Sequence, residues 1–170
     1  MVNNVKKEVE LYADMCTWLQ SYLNDKYKNK KCNIYVVDCH SVYLDSILEQ
    51  YGIIQYYPQV VGVKIEIDVL GMVIWENKAE IFFIEAKKTQ LTLQNLGQLL
   101  VYCKLCNPEE AYLLSSAGLG SLDKVLNILG REDLLSQLIL IKSIFTITLF
   151  LTQFPLLTDL SSTTVMKLTE

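Results

Sequence analysis

The 170-residue chain has one histidine, His40, and one arginine, Arg131. The first scarcity excludes a histidine-based catalytic triad and a multi-histidine metal site. The second leaves almost no scope for bidentate guanidinium readout of guanine. The five cysteines (Cys16, Cys32, Cys39, Cys103, Cys106) are an odd number without framework spacing. With no signal peptide ahead of them, they predict a reducing, intracellular (cytoplasmic) setting. The longest uncharged run, Ser143–Thr158, has sixteen residues and several threonines. A membrane span needs ~20 predominantly apolar residues, so none is expected. The loop Ser115–Gly120 lacks the Gly-Lys-Ser/Thr of a phosphate-binding loop, which argues against a nucleotide cofactor. A net charge of −4 argues against a broadly basic nucleic-acid binder, so any contact with nucleic acid must be local.

What the chain does have is apolar material: 51% of its residues are hydrophobic, enough for one domain over residues 1–170 with a substantial core. The organising stretch is Val61–Lys88. A strand over Val63–Trp75, rich in Val and Ile, and a second over Glu80–Ala86 flank a polar loop, Glu76–Ala79. If Trp75 sits opposite Glu80, Asp68 faces Lys87 and Leu70 faces Glu85. Period-two alternation then puts Asp68, Glu85 and Lys87 on one face at one end of the hairpin. Ile65, Ile67, Val69, Val73, Phe82 and Ile84 fall on one face, and Leu70, Met72, Ile74, Ile81 and Phe83 on the other, so the hairpin belongs inside a sheet covered on both sides. Charges at the end of buried strands need solvent, a counter-charge or an ion. Two converging carboxylates favour a hard divalent cation such as Mg²⁺. Lys87, pointing the same way, suits stabilisation of a phosphorane-like transition state or deprotonation of an attacking water.

Asp68, sixteen residues, then Glu85-Ala86-Lys87 resembles the D…(D/E)-x-K signature of the restriction-endonuclease-like, or PD-(D/E)xK, nuclease superfamily. Ile67 stands where many members have proline, and Glu66 is a second acid nearby. Gln98-Leu99-Leu100-Val101-Tyr102 resembles the QxxxY motif that follows the lysine in RecB-type members, eleven residues after Lys87. The resemblance implies an α-β-β-β-α-β core, about residues 6–116, with a central mixed sheet flanked by helices. It implies Asp68, Glu85 and the Ala86 carbonyl as ligands for Mg²⁺ or Mn²⁺, with Lys87 and Gln98 in catalysis. Members similar to archaeal junction resolvases add a glutamate near the start of their first helix. Glu8-Val9-Glu10-Leu11 is similar to that pattern. On a helical wheel Glu8 lies roughly 60° from the apolar stripe and Glu10 roughly 140°, which favours Glu8 over Glu10. An acid favoured by the positive end of a helix is the alternative reading.

The first helix is predicted over residues 5–28, with Val5, Val9, Tyr12, Cys16, Leu19 and Leu23 inward. Lys26, Lys28, Lys30 and Lys31 follow as a basic run. Solvated loop residues and phosphate contacts both fit it, and Lys28, Lys30 and Lys31 join Lys88 and Tyr102 as candidate DNA contacts. A strand over Asn33–Val37, a helix over Ser41–Tyr51 ending at Gly52, and an extended segment over Ile53–Val60 lead to the hairpin. His40 is expected to be structural or on the surface. A helix over Thr92–Cys106 has Leu93, Leu96, Leu100 and Cys103 inward; it places Cys103 and Cys106 on an apolar stripe, which disfavours a zinc or redox CxxC. A strand over Glu110–Ser115 and short helices over Ser121–Leu129 and Arg131–Gln137 come next. A strand around Phe145–Thr152 closes the chain, so that residues 119–157 complete the sheet or a homodimer interface.

The expected function is a metal-dependent DNA endonuclease that hydrolyses phosphodiester bonds. A RecB-type repair exonuclease, a nuclease-like module that binds without cutting, and an ordinary ion-pair cluster are the alternatives.

Overall fold

A computed structural model describes residues 8–130 and the backbone of residues 146–150. The expected helix at Arg131–Gln137 and the inward placement of Val5 lie outside the described residues. The two apolar runs of the organising stretch become the middle of the sheet. Strand β1 (Asn33–Asp38) pairs antiparallel with β2 (Val69–Ile74), and β2 pairs antiparallel with β3 (Ala79–Lys87). Strands β4 (Glu110–Ser115) and β5 (Thr146–Phe150) then add in parallel, giving a five-stranded mixed sheet in the order β1-β2-β3-β4-β5.

Helices cover both faces. Helix α1 (Tyr12–Lys26), entered through a 3-10 turn at Glu8–Leu11, lies on the face formed by Val69, Val73, Phe82, Ile84, Ala86, Tyr112 and Leu114. Helices α2 (Leu44–Gln50) and α3 (Leu93–Cys106) cover the face of Leu70, Met72, Ile81, Phe83, Ala111 and Leu113. Phe82 and Phe83, adjacent in sequence, are both fully buried on opposite faces, the result of period-two alternation in a strand covered twice. Gly71 lets α1 lie close, since a Cβ there would stand 2.9 Å from Leu19 Cδ2 and 3.0 Å from Leu23 Cδ1. A further helical turn, α4 (Ser121–Asp123), runs on into a π-helical turn at Lys124–Ile128.

Several expectations are corrected. The hairpin register puts Val69 opposite Ile84 and Leu70 opposite Phe83, two residues from the expected pairing. A shift of two preserves the faces of the paired residues, while Asp68 precedes β2 and reaches β3 with its side chain from beyond the last pair. The segment Val63–Asp68 is not strand: Ile65 N–H turns back to Val63 C=O, and Ile65 and Ile67 pack with Leu44, Ile47 and Leu48 of α2, not with Val69. Ile53–Val60 coils into two 3-10 turns instead of extending, and Pro58 opens the second. On α3 the inward stripe is Leu96, Leu99, Cys103 and Cys106, while Leu93 is exposed. Val9 is also exposed, because the chain there is still in the 3-10 turn that precedes α1.

Candidate active site

At the end of β2 nearest Asp38, the ladder stops with Val69 opposite Ile84. The N–H of Ala86 lies beyond that last pair and still needs an acceptor. Asp68 supplies it through its side chain, Oδ2 accepting from Ala86 N–H at 2.7 Å. Its main chain is held separately by Cys39, whose N–H donates to Asp68 C=O at 3.0 Å. The aspartate is thus fixed between β1 and β3, its carboxylate against the peptide that joins Glu85 to Lys87.

Glu85 and Lys87 leave β3 on the α3 side. Lys87 Nζ donates to Glu85 Oε1 at 2.8 Å and to the Ala86 carbonyl at 2.9 Å, and it stands 3.9 Å from Asp68 Oδ2. One ammonium therefore occupies the point on which two carboxylates and a carbonyl converge. The side chains of Glu85, Asp68 and Lys87 are 6%, 13% and 19% exposed, so the cluster opens to solvent through the lysine. At low exposure, like-charged carboxylates this close raise each other's energy, and a cation between them lowers it.

The α3 stripe begins after a capping box in which Thr92 and Asn95 satisfy one another's backbone N–H groups. Centring that stripe on Leu99 brings Gln98 to the rim. From there its Nε2 lies 3.4 Å from Glu85 Oε1 and 3.5 Å from the hydroxyl of the half-buried Tyr102. Lys88 is exposed beside the cluster. The loop after β3 is held by the next turn of chain: Ser116 N–H donates to Lys87 C=O at 3.1 Å and Ser115 Oγ to Thr89 C=O at 2.7 Å. Gly120, at φ +54°, leaves room for Leu91, whose carbonyl would stand 2.8 Å from any Cβ there.

The structure thus brings Asp68, Glu85, Ala86, Lys87 and Gln98 together, with Tyr102 and Lys88 at the margin. The backbone of Glu8 lies in the turn that opens α1, and its side chain is outside the described residues. Lys28, Lys30 and Lys31 are not part of the cluster. They precede Asn33, at the other end of β1 from Asp38, about 17 Å away at the rise of an extended strand. Lys28 instead pairs with Asp25 at 3.1 Å, and Lys26 turns inward to Glu110. Glu66 is exposed.

The residue that pattern reading passes over is Tyr12. Its hydroxyl donates to Asp68 Oδ1 at 2.9 Å, and its ring packs 5.0 Å from the imidazole of His40. His40 Nδ1 in turn lies 2.6 Å from Asp38 Oδ1. The available signal was a tyrosine on the buried stripe of the first helix, because a buried phenol needs a partner.

The three cysteines nearest the core are chemically quiet. Burial pushes the Cys103 and Cys106 thiols up to about 12, and burial with the charges of Asp38 and Asp68 pushes Cys39 higher still. All five cysteines are free.

Among the described residues no group of three or more His, Cys, Asp or Glu side chains gathers as a metal site, and no helix is long and apolar enough to cross a membrane. The oxygen set of Asp68, Glu85 and the Ala86 carbonyl nevertheless fits a hard cation that keeps part of its water shell, since such an ion is commonly held by one or two carboxylates. Comparison of the chain with protein-family models, with curated proteins and with solved structures finds no match.

Proposed function

We propose that the chain is a Mg²⁺- or Mn²⁺-dependent deoxyribonuclease of the restriction-endonuclease-like type, cutting phosphodiester bonds within DNA. The observation that carries this reading is the convergence of Asp68 Oδ2, Glu85 Oε1 and the Ala86 carbonyl around one ammonium, Lys87 Nζ. Three hard oxygens around a cationic position are what a divalent ion and an in-line phosphate require. The mixed α/β sheet with helices on both faces supports the coarse architecture that the D…(D/E)-x-K resemblance implies, with α2 standing between β1 and β2 as an element additional to its α-β-β-β-α-β order.

In this reading Asp68, Glu85 and the Ala86 carbonyl hold the ion, with Glu8 as a further ligand. The chemistry supplied there is to offset phosphate charge and to acidify water. Lys87, released from Glu85 and Ala86, would present its ammonium to the scissile phosphate; to act as the base it would first give a proton to solvent and then, as the neutral amine, take that of the attacking water. Gln98, hydrogen-bonded to the same carboxylate oxygen as Lys87, orients the lysine or the water. Lys88 and Tyr102 line the margin over which DNA would pass. Lys28, Lys30 and Lys31 reach the same DNA only if it runs the length of the sheet.

The test is cleavage of supercoiled, branched and single-stranded DNA with Mg²⁺, Mn²⁺ or EDTA, comparing the unaltered protein with Lys87→Ala. Metal-dependent cutting that falls at least ~100-fold in the variant supports the reading. Cutting that survives Lys87→Ala or EDTA overturns it. A second reading is a nuclease-like module that binds DNA without cutting it, favoured by the Lys87 ammonium standing at the point where the oxygens converge. DNA binding without cleavage by the unaltered protein under every metal condition selects that module.

A further inference from the structure

We infer that Tyr12 is a positioning residue for the metal site, fixing the Asp68 carboxylate from the opposite face of the sheet and coupling it to the Asp38–His40 pair. The inference rests on the reading of Asp68 as a metal ligand and deepens it. Asp68 has two oxygens with different tasks. Oδ2 faces β3, accepting from Ala86 N–H at 2.7 Å and lying 3.9 Å from Lys87 Nζ. Oδ1 accepts from the Tyr12 hydroxyl at 2.9 Å. A carboxylate gripped at both oxygens by donors on separate elements cannot rotate about its terminal bond without losing one of them, and a charged acceptor makes each bond stronger than a neutral pair.

The phenol is itself held. Tyr12 is 4% exposed, packed with Leu11, Met15 and Ala86, and its ring lies 5.0 Å from the His40 imidazole at an interplanar angle of 36°. His40 is fixed by Asp38, which takes its Nδ1 at 2.6 Å and its backbone N–H at 3.3 Å. Asp38 ends β1 opposite Val69, the residue after Asp68. The path Asp68, Tyr12, His40, Asp38 therefore closes on itself across the β1–β2 pair, and α1 is tied to the strand ends through one hydroxyl. Groups that orient ligands in this way are commonly worth 10–100-fold in metal affinity.

The experiment is calorimetric titration of Mn²⁺ into the full chain without DNA. It compares the unaltered protein, Tyr12→Phe, Asp68→Asn and the double variant, with melting temperatures from circular dichroism. Tyr12→Phe keeps the ring and removes only the hydroxyl. The expected result is a loss of about tenfold in Mn²⁺ affinity for Tyr12→Phe, with no further loss when it is added to Asp68→Asn. Equal affinity of Tyr12→Phe and the unaltered protein overturns the positioning role while leaving the metal site standing. So does a loss that simply adds to that of Asp68→Asn, because a packing defect would act independently of the carboxylate. No Mn²⁺ binding by the unaltered protein overturns the metal reading and this inference together. Should Tyr12→Phe fail to fold, a fluorinated tyrosine placed at position 12, which keeps the ring and acidifies the hydroxyl, takes its place; unchanged Mn²⁺ affinity then overturns the inference.

Discussion

The two ends of the central sheet each carry carboxylates, a lysine and tyrosines, arranged differently. At the hairpin end, Glu110 Oε1 accepts from Tyr22 at 2.9 Å and Lys26 at 2.7 Å, and its Oε2 is bonded to the Tyr112 hydroxyl. Aromatic rings close around it: Trp18 stacks on Tyr22 and meets Tyr112 edge-on, and the Lys26 ammonium lies 5.1 Å from the Phe82 ring centre. Nearby, Tyr27 donates to Glu80 at 2.5 Å, and Lys78 bonds the other oxygen of Glu80. Burial, then the charge of Glu110, pushes the Tyr22 phenol up to about 12; the same two causes push Tyr112 beyond that, so both remain neutral donors. Here the donors surround each acid.

At the other end an ammonium stands at the centre instead of an acid, while Ala86 N–H, Tyr12 and Gln98 donate to the same two carboxylates from the side. Asp68, Glu85 and the Ala86 carbonyl share Lys87. A network whose donors enclose an acid stabilises the fold and has no use for an added cation. Oxygens that converge on an ammonium form, in the reading proposed above, the set that would take a cation once Lys87 turns away to a phosphate. Residue types alone do not separate the two ends; which group stands at the centre does.

Substitutions at the two ends should therefore act on different observables. The largest effect on folding is expected for Glu110→Ala, which removes the acceptor of two phenols and an ammonium at a buried position. Loss of about 3 kcal/mol of stability in urea unfolding, with Mn²⁺ affinity unchanged, is the expected outcome. A change within ~0.5 kcal/mol would mean that the hairpin-end network does not hold the fold. Glu85→Gln should do the opposite. Stability in EDTA stays level or rises by up to ~1 kcal/mol as a like-charge contact is relieved, while Mn²⁺ binding is lost. A large destabilisation with Mn²⁺ affinity intact would make Glu85 another structural acid.

The smallest effect concerns Glu109, beside the hairpin-end cluster. Burial, then the charge of Glu80, raises its pKa against partial relief from Lys26 and Lys78. A carboxyl whose folded pKa is raised holds its proton more tightly in the native state. Its contribution is full below the unfolded pKa and is lost as pH rises through the folded value. Glu109→Gln should accordingly raise the melting temperature slightly at pH 7, the effect being screened by solvent because the carboxyl is half exposed. The gain should vanish as pH falls below about 4, the ordinary glutamate range. A gain that persists at low pH would assign the effect to packing.

Much of this was legible in the sequence because it depends on local period. Alternation in Ile81–Ala86 set the two faces of β3, and it placed Glu85 and Lys87 on one side whatever the register, since residues two apart on one strand always share a face. The hydrophobic run Glu110–Ser115 gave β4 its observed bounds. Cys103 and Cys106 lie on the apolar side of α3, as their helical spacing indicates. What pattern could not supply was the end of β2. Ile65 and Ile67 alternate like strand residues, yet α2 offers them a better apolar surface than the sheet edge does, so the ladder stops at Val69 and Asp68 becomes a side-chain acceptor.

The chain by itself determined the hairpin, its two apolar faces and the shared side of Glu85 and Lys87, because side-chain direction in a strand follows from residue number. Only the tertiary structure decided that Tyr12, with His40 against its ring, bonds Asp68, that Gln98 reaches Glu85, and that Lys28, Lys30 and Lys31 lie at the far end of the sheet. Those relations join elements distant in sequence, and they are fixed by how α1 and α3 dock on a twice-covered sheet, which no local spacing encodes.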